Sequence, residues 1–477
     1  MKSKRREPIL IERLTVTDAG SEGMAVARHG EKVVFIPYAA PGDIVDVLAF
    51  RRKKSFLEGR IERIHEFSDK RTSPLCSHFG LCGGCKWQHL DYTWQLFYKE
   101  KQVRDNLERI AGIQSPLIRP IIASDSTFYY RNKLEFTFSN RKWLTDGAAA
   151  GTKSAGDLSG LGFHLPGMFD RILDIDHCYL QQDPSNAIRL AIRDWGIQNQ
   201  VSFYDVRNHE GVLRNLIVRN SRSGELMVII IAGSHDEKVE NDLFPYVMQQ
   251  FPEINSLIYV VNNKKNDTIN DLDYRVIKGN PFISESMDSP VIGNPPLTFR
   301  IGPVSFYQTN PTQAEKVYKA AYDLAEFSGN ELVYDLYTGA GTIACYVASS
   351  VKKVIGIEYI EDAIKDAKIN ASINNIHNAT FIAGDMVNVL NDQFLAEHGK
   401  PDVMITDPPR SGMHPKVVEQ LMSIGPDRIV YISCNPATQA RDLQMMKDIY
   451  DITAIQPFDM FPQTQHVENI IRLDKRK

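Results

Sequence analysis

Apolar and polar residues alternate with a period of two through most of residues 8–66, and the rhythm then changes. Leu10–Thr15, Ala25–His29, Lys32–Ile36, Asp43–Ala49 and Phe56–Ile64 read as short, half-buried strands. Asp18-Ala19-Gly20, His29-Gly30 and Pro41-Gly42 punctuate them, which is the turn chemistry of a small barrel. Over Thr93–Ile110 the period lengthens, with Leu96, Val103, Leu107 and Ile110 on one face of a helix. Residues 117–290 mix strands (Leu134–Phe138, Gly211–Arg219, Leu226–Ala232, Ser256–Val261) with helical stretches such as Pro184–Trp195. Asp146–Gly162, rich in Gly, Ala and Ser, predicts a mobile loop. Past residue 300 strand and helix alternate regularly. The strands are Leu332–Leu336, Lys353–Ile357, Ala379–Ile382, Asp402–Thr406 and Arg428–Ser433, and Ile452–Gln456 and Asn469–Leu473 add two more. Such alternation predicts a parallel sheet covered by helices on both faces. The fold class is α/β, with expected domains at 1–66 (β-barrel), 67–295 (α+β) and 296–477 (the catalytic half).

Composition narrows the class. At 43% hydrophobic and 24% charged residues, the chain of 477 is globular and not disordered. Its longest apolar run, Leu226–Ala232, is far shorter than the roughly 20 residues of a bilayer span. No apolar signal region follows the basic Met1–Arg6 tail, so a cytoplasmic protein without a membrane partner is expected. The net charge of −4 hides an asymmetry: residues 1–66 carry +3 and the remainder −7. Arg51-Arg52-Lys53-Lys54 reads as a solvated turn between two strands. Together with the basic tail it becomes a candidate phosphate-contacting surface. Six cysteines are too few for a disulfide scaffold. Cys76, Cys82 and Cys85 crowd together, while Cys178, Cys345 and Cys434 stand apart, and Cys345 lies on an apolar helix face as a core residue.

Candidate chemistry lies at the ends of the catalytic strands. Asp335-Leu336-Tyr337-Thr338-Gly339-Ala340-Gly341 leaves the first strand and opens a helix, its glycines permitting a tight turn close to a ligand. The second strand ends in Glu358, where a doubly wound fold places a ribose-binding acid, and Asp385 follows the third. Three acidic strand ends (Asp335, Glu358, Asp385) repel a pyrophosphate and suit a cationic sulfonium, which favours S-adenosyl-L-methionine over a nicotinamide dinucleotide. Asp407-Pro408-Pro409-Arg410 follows the fourth strand, rigid because both prolines fix φ. Cys434 follows the fifth and opens a helix, where N–H groups favour a thiolate. Glu468, entering the last strand after His466, is costly to bury without a task and is a general-base candidate. Cys76-x5-Cys82-x2-Cys85 is a metal-ligand pattern open to zinc, with His78 or His89 as the fourth ligand, or to an iron–sulfur cluster.

In Phe306–Asn310, Asp335–Gly341, Asp407–Arg410, Ser433–Pro436 and His466–Glu468, taken in order, the chain resembles the RNA uracil-C5 methyltransferases, specifically their iron–sulfur-bearing 23S ribosomal RNA branch. The resemblance implies a C-terminal Rossmann-like class I methyltransferase domain, with residues 1–66 as a TRAM barrel that binds RNA. It also implies that Cys434 attacks C6 of uracil and that Glu468 removes the C5 proton. Gln308, Tyr337, Glu358 and Asp407, and more weakly Asp385, fall on cofactor-contacting positions. Cys76, Cys82, Cys85 and a remote Cys178 correspond to the ligands of a 4Fe–4S cluster. The implied partner is RNA, ribosomal in the first instance and transfer RNA as the alternative, with no obligate protein partner. A uracil within structured RNA must be flipped out to reach Cys434. Tyr129, Tyr130 and Phe136 are candidate RNA contacts, although each alone reads as core. Two rivals are an amino-directed methyltransferase using Asp407-Pro408-Pro409, and a non-catalytic iron–sulfur protein of ribosome assembly. The first leaves Cys434 and Glu468 idle, and the second leaves the whole constellation idle.

Overall fold

A computed structural model describes residues 7–114, 116–144 and 158–477. The Met1–Arg6 tail and residues 146–157 of the expected loop lie outside them. Gly160–Gly162, the end of that expected loop, instead begins a strand. Among the described residues no helix is long and apolar enough to cross a membrane.

Strands β1 (Ile9–Ala19), β2 (Met24–His29), β3 (Lys32–Pro37), β4 (Ile44–Arg52) and β5 (Phe56–Glu66) close a barrel in the order β1-β2-β3-β5-β4. Alternation in β4 sends Val45, Val47 and Ala49 inward, each fully buried. Arg51 and Arg52 belong to β4, so the basic run is half strand and half turn. Helix α1 (Tyr92–Asn106), capped by Asp91, continues through a wider turn at Leu107–Ala111 and stops at Gly112, whose φ is +72°.

A seven-stranded sheet follows, built from β6 (Lys133–Ser139), β7 (Gly160–His164), β8 (Ile172–Asp174), β9 (Leu213–Asn220), β10 (Leu226–Ala232), β11 (Ser256–Val261) and β12 (Tyr274–Gly279). Its order is β12-β11-β10-β9-β6-β7-β8, with only β10 and β11 parallel. The unbroken apolar run of β10 is explained by its two faces. Met227, Ile229 and Ile231 enter the core shared with the catalytic half, while Val228, Ile230 and Ala232 enter a second core. That second core also holds residues of α2 (Ser185–Gln198) and α3 (Phe244–Gln250).

A hairpin of β13 (Ile283–Met287) and β14 (Leu297–Ile301) leads into α4 (Pro311–Ala325). The C-terminal sheet contains β15 (Leu332–Leu336), β16 (Lys353–Glu358), β17 (Ala379–Ala383), β18 (Val403–Thr406), β19 (Arg428–Ser433), β20 (Tyr450–Phe458) and β21 (Glu468–Lys475). Between them run α5 (Thr342–Val347), α6 (Glu361–Ile373), α7 (Met386–Val389), α8 (Asp392–His398), α9 (Pro415–Ile424) and α10 (Pro436–Met446). The strand order is β17-β16-β15-β18-β19-β21-β20. The first five strands are parallel, but β21 is antiparallel to both β19 and β20, which corrects the expectation of a purely parallel sheet. The cause is local: no helix crosses over after β20, and a short direct connection joins only antiparallel neighbours.

Candidate active site and cysteine cavity

Strand register gathers the candidate residues. Leu336 pairs with Ile357 on one side and Thr406 on the other, so Tyr337, Glu358 and Asp407 emerge from adjacent strands at one sheet edge. Thr406 pairs with Tyr431, carrying that edge to β19. Ser433 then faces Asn469 across the antiparallel pair, and the next positions outward are Cys434 and Glu468.

At the cofactor end, Asp335 is fully buried. Its Oδ2 accepts from Thr338 Oγ1 at 2.5 Å and from Ala344 N at 3.0 Å, while its buried Oδ1 has no partner. Burial, with Asp407 and Glu358 nearby, pushes this carboxyl up to about 7 despite those hydrogen bonds. Tyr337 (φ +63°), Gly339 (+55°) and Gly341 (+77°) give the turn its left-handed residues. A Cβ on Gly341 would lie 2.9 Å from Ala367 and 3.0 Å from Phe381, whereas one on Gly339 would meet nothing within 4 Å. Gly341 therefore serves packing, and Gly339 faces open space that a ligand can occupy. Glu358 accepts from Gly339 N at 3.2 Å and from Ile360 N at 3.0 Å, which fixes it beside that space. Asp385 differs. It caps α7 by accepting from Val387 N, so its carboxylate is engaged in the fold. Gln308 is half-buried just before α4, and its carbonyl accepts from Asn132 Nδ2 at 3.2 Å.

At the reacting end, Cys434 is half-buried and Glu468 is buried. Burial and then the charges of Glu468 and Asp407 push the thiol up to about 12, against the pull of Arg410. This corrects the expectation of a thiolate favoured by the helix terminus. The side chain of Asn435 already caps α10, and burial, then the two carboxylates, outweigh the backbone hydrogen bond that lowers the thiol. Burial raises both Glu468 and Asp407, and the charge of Asp407 raises Glu468 further. Arg410 Nη2 donates to His466 Nδ1 at 2.9 Å. Burial, together with Arg410, lowers His466 to about 4, so the ring is a neutral acceptor. The candidate set assembled from sequence lacks Arg410. Its signal was its place directly after the rigid Pro408-Pro409 pair.

Cys76, Cys82, Cys85 and Cys178 line one cavity of about 140 Å³, with Gly84, Arg131 and Thr464 also on its wall. Burial raises all four thiols, Cys85 to about 11 and Cys178 to about 12, and Cys178 feels the charges of the other three. Cys82 Sγ accepts from Gly84 N at 3.5 Å. His89 is turned away, bonded to Ala39 O at 3.1 Å and stacked on Phe79, while His78 accepts from Asp176 N at 2.9 Å. Among the described residues no three His, Cys, Asp or Glu side chains converge closely enough to hold a metal ion. The four thiols line a common space, and four thiolates are a donor set that suits either zinc or an iron–sulfur group.

Cys345 is buried in the core as expected. So are Tyr130 and Phe136, but Tyr129 is 39% exposed and stacks edge-on with His177 and Tyr179 beside the cavity.

Comparison with known proteins agrees along the whole length. Residues 274–476 match the family described as tRNA (Uracil-5-)-methyltransferase, and residues 6–61 match the TRAM domain. An uncharacterized RNA methyltransferase of Bacteroides thetaiotaomicron is 51% identical over 459 residues, covering 96% of this chain and 100% of the relative. One of Porphyromonas gingivalis is 46% identical over 469 residues, covering 96% of this chain and 99% of the relative. The crystal structure of Pyrococcus abyssi tRNA (uracil-54, C5)-methyltransferase in complex with S-adenosyl-L-homocysteine superposes with a TM-score of 0.73 at 27% identity, covering 97% of this chain and 100% of that one. The chain thus belongs to the RNA uracil-5-methyltransferase family, as an S-adenosylmethionine-dependent RNA methyltransferase with a TRAM domain at its N-terminal end.

Proposed function

We propose that this protein methylates C5 of a uridine in ribosomal RNA through a covalent bond between Cys434 and C6. The observation that carries this reading is the register of β19 and β21, which sets a thiol and a buried carboxyl side by side at a cofactor-binding sheet edge. C5 of neutral uracil is a poor nucleophile, and sulfur addition at C6 turns it into an enolate carbon. Cys434 adds as its thiolate, and Arg410 is the cation acting on it. The bound cofactor supplies an electrophilic methyl group and a positive charge. Gln308, Tyr337, Glu358 and Asp407 orient that cofactor, with Asp407 and Gln308 also beside the base, and Asp385 lies at the edge of its site. Glu468 then takes the C5 proton, C5=C6 re-forms, and the C6–S bond breaks to release Cys434.

Residues 1–66 and 67–295 bind RNA in this reading, and 296–477 carry out the chemistry. Cys76, Cys82, Cys85 and Cys178 would hold a 4Fe–4S cluster, which would tie the 76–85 segment to the central sheet. Methyl transfer requires no electron, so no step runs through it.

The resemblance to the family's ribosomal branch, with its barrel and cluster, favours ribosomal RNA. A second reading, transfer RNA, is favoured by the full-length likeness to an archaeal tRNA (uracil-54, C5)-methyltransferase. Mapping 5-methyluridine in ribosomal and transfer RNA from cells with and without the protein decides between them. Loss of the mark at a ribosomal position is expected, and no change in either RNA would overturn the proposal.

A further inference from the structure

The connection between β20 and β21, Asp459–Val467, brings His466 and then Glu468 to the reacting centre. Hairpin loops usually have about two to five residues, and this longer one is mostly buried. Buried irregular backbone needs partners from elsewhere in the chain. Here α1 supplies them. Lys99 and Asp459 are both fully buried, with Nζ 2.5 Å from Oδ1. Lys99 Nζ also donates to Phe461 O at 3.0 Å, and Phe461 N donates to Asp459 Oδ1 at 3.1 Å. One turn earlier in α1, Gln95 Oε1 accepts from Gln463 N at 2.9 Å, and Gln95 Nε2 donates to Gln463 Oε1 at 3.1 Å. Gln463 is held at φ +67°. Further along the loop, Thr464 Oγ1 donates to Phe461 O, and His466 N donates to Thr464 Oγ1. His466 in turn holds Arg410.

A buried ion pair is a poor source of net stability, because desolvating two charges offsets their attraction. What it does supply is a single permitted arrangement. We propose that Lys99 and Asp459 are positioning residues for the reaction. They fix the 459–467 loop, and with it the start of β21, so that Glu468 is aimed at the C5 proton. Neither residue touches the substrate. The step they serve is the last one, in which the C5–H bond breaks to Glu468, its electron pair forms C5=C6, and the C6–S bond opens. A misaimed base leaves addition at C6 and methylation intact and slows only this release. The inference rests on the covalent mechanism proposed above.

Two variants test it. Lys99→Met combined with Asp459→Asn removes both charges and leaves no unpaired ion. Gln463→Gly keeps the left-handed backbone while deleting the side-chain bonds, and it carries the test if the double variant does not fold. Each is incubated with unmodified ribosomal RNA and methyl-labelled cofactor, and turnover is compared with protein–RNA adduct on a denaturing gel. The expected result is a loss of turnover of about tenfold or more, with methyl-labelled adduct forming at the wild-type rate and accumulating. Unchanged turnover, or turnover and adduct formation falling together, overturns the assignment. RNA carrying 5-fluorouridine tests the underlying mechanism separately, because fluorine cannot leave as a proton. If the wild-type protein forms no adduct there, the mechanism fails and not the loop's role.

Discussion

Glu468→Gln separates the two halves of the proposed reaction. The substitution keeps the shape of the side chain at its position beside Cys434 but removes its capacity to accept the C5 proton. A positioned general base contributes about 10²- to 10⁴-fold to a rate. The expected loss of turnover is therefore about 3–5 kcal/mol of barrier, at 1.36 kcal/mol per tenfold. Adduct formation should respond in the opposite sense. After burial, the charge of Glu468 is the next largest cause holding the Cys434 thiol up to about 12, so an uncharged amide lowers the thiol and increases the thiolate fraction at a given pH. The variant should take up one labelled methyl group per molecule and stop, as a covalent RNA complex. Uridine labelled with tritium at C5 provides the readout. Wild-type protein releases one tritium per methyl group transferred, and the variant transfers the methyl without releasing tritium. Turnover within about tenfold of wild type would refute Glu468 as the base, since a positioned general base typically contributes about 10²-fold or more. A folded variant that forms no adduct would refute the order of steps.

Four further outcomes follow from the structure. Gly341→Ala should destabilise the protein by roughly 2–4 kcal/mol in denaturant unfolding, because it combines a left-handed backbone with contacts of 2.9 and 3.0 Å to Ala367 and Phe381. Gly339→Ala meets no atom within 4 Å, so its cost should be limited to about 1–2 kcal/mol of backbone strain, and cofactor affinity measured by calorimetry should fall more than stability does. Asp335, Asp407 and Glu468 all have raised carboxyls, so their contribution to stability is fully present below pH 4 and is lost as pH rises through their folded values. For Asp335, taken from an ordinary 3.8 to about 7, the loss is about 4 kcal/mol by pH 8. Cofactor-free protein should therefore unfold at lower urea concentration at pH 8 than at pH 5, and the opposite trend would contradict the burial of these groups. On the proposed 4Fe–4S site, Cys178→Ser should abolish iron content and the visible absorbance of protein purified without oxygen, while Cys345→Ser leaves both unchanged.

Much of this protein is legible along the chain, because strands, helices and turns are set by nearest neighbours. The alternation in Asp43–Ala49 and the unbroken Leu226–Ala232 run each identified a strand correctly, and the glycines of Asp335–Gly341 marked a turn where a strand ends. The strand-end acids, the Asp407-Pro408-Pro409 corner and Cys434 were visible for the same reason, since each adjoins a readable strand. Other features depend on segments far apart in sequence. Only the fold reverses β21 between β19 and β20, and that reversal is what puts Glu468 next to Cys434. Only the fold brings Cys178 to the wall formed by Cys76, Cys82 and Cys85, and lashes the 459–467 loop to Lys99. The charge state of Cys434 went the other way from its local motif. A helix terminus acts through a few adjacent N–H groups, whereas a pKa sums burial and charge over every neighbour that packing supplies, and here burial, followed by the charges of Glu468 and Asp407, prevails.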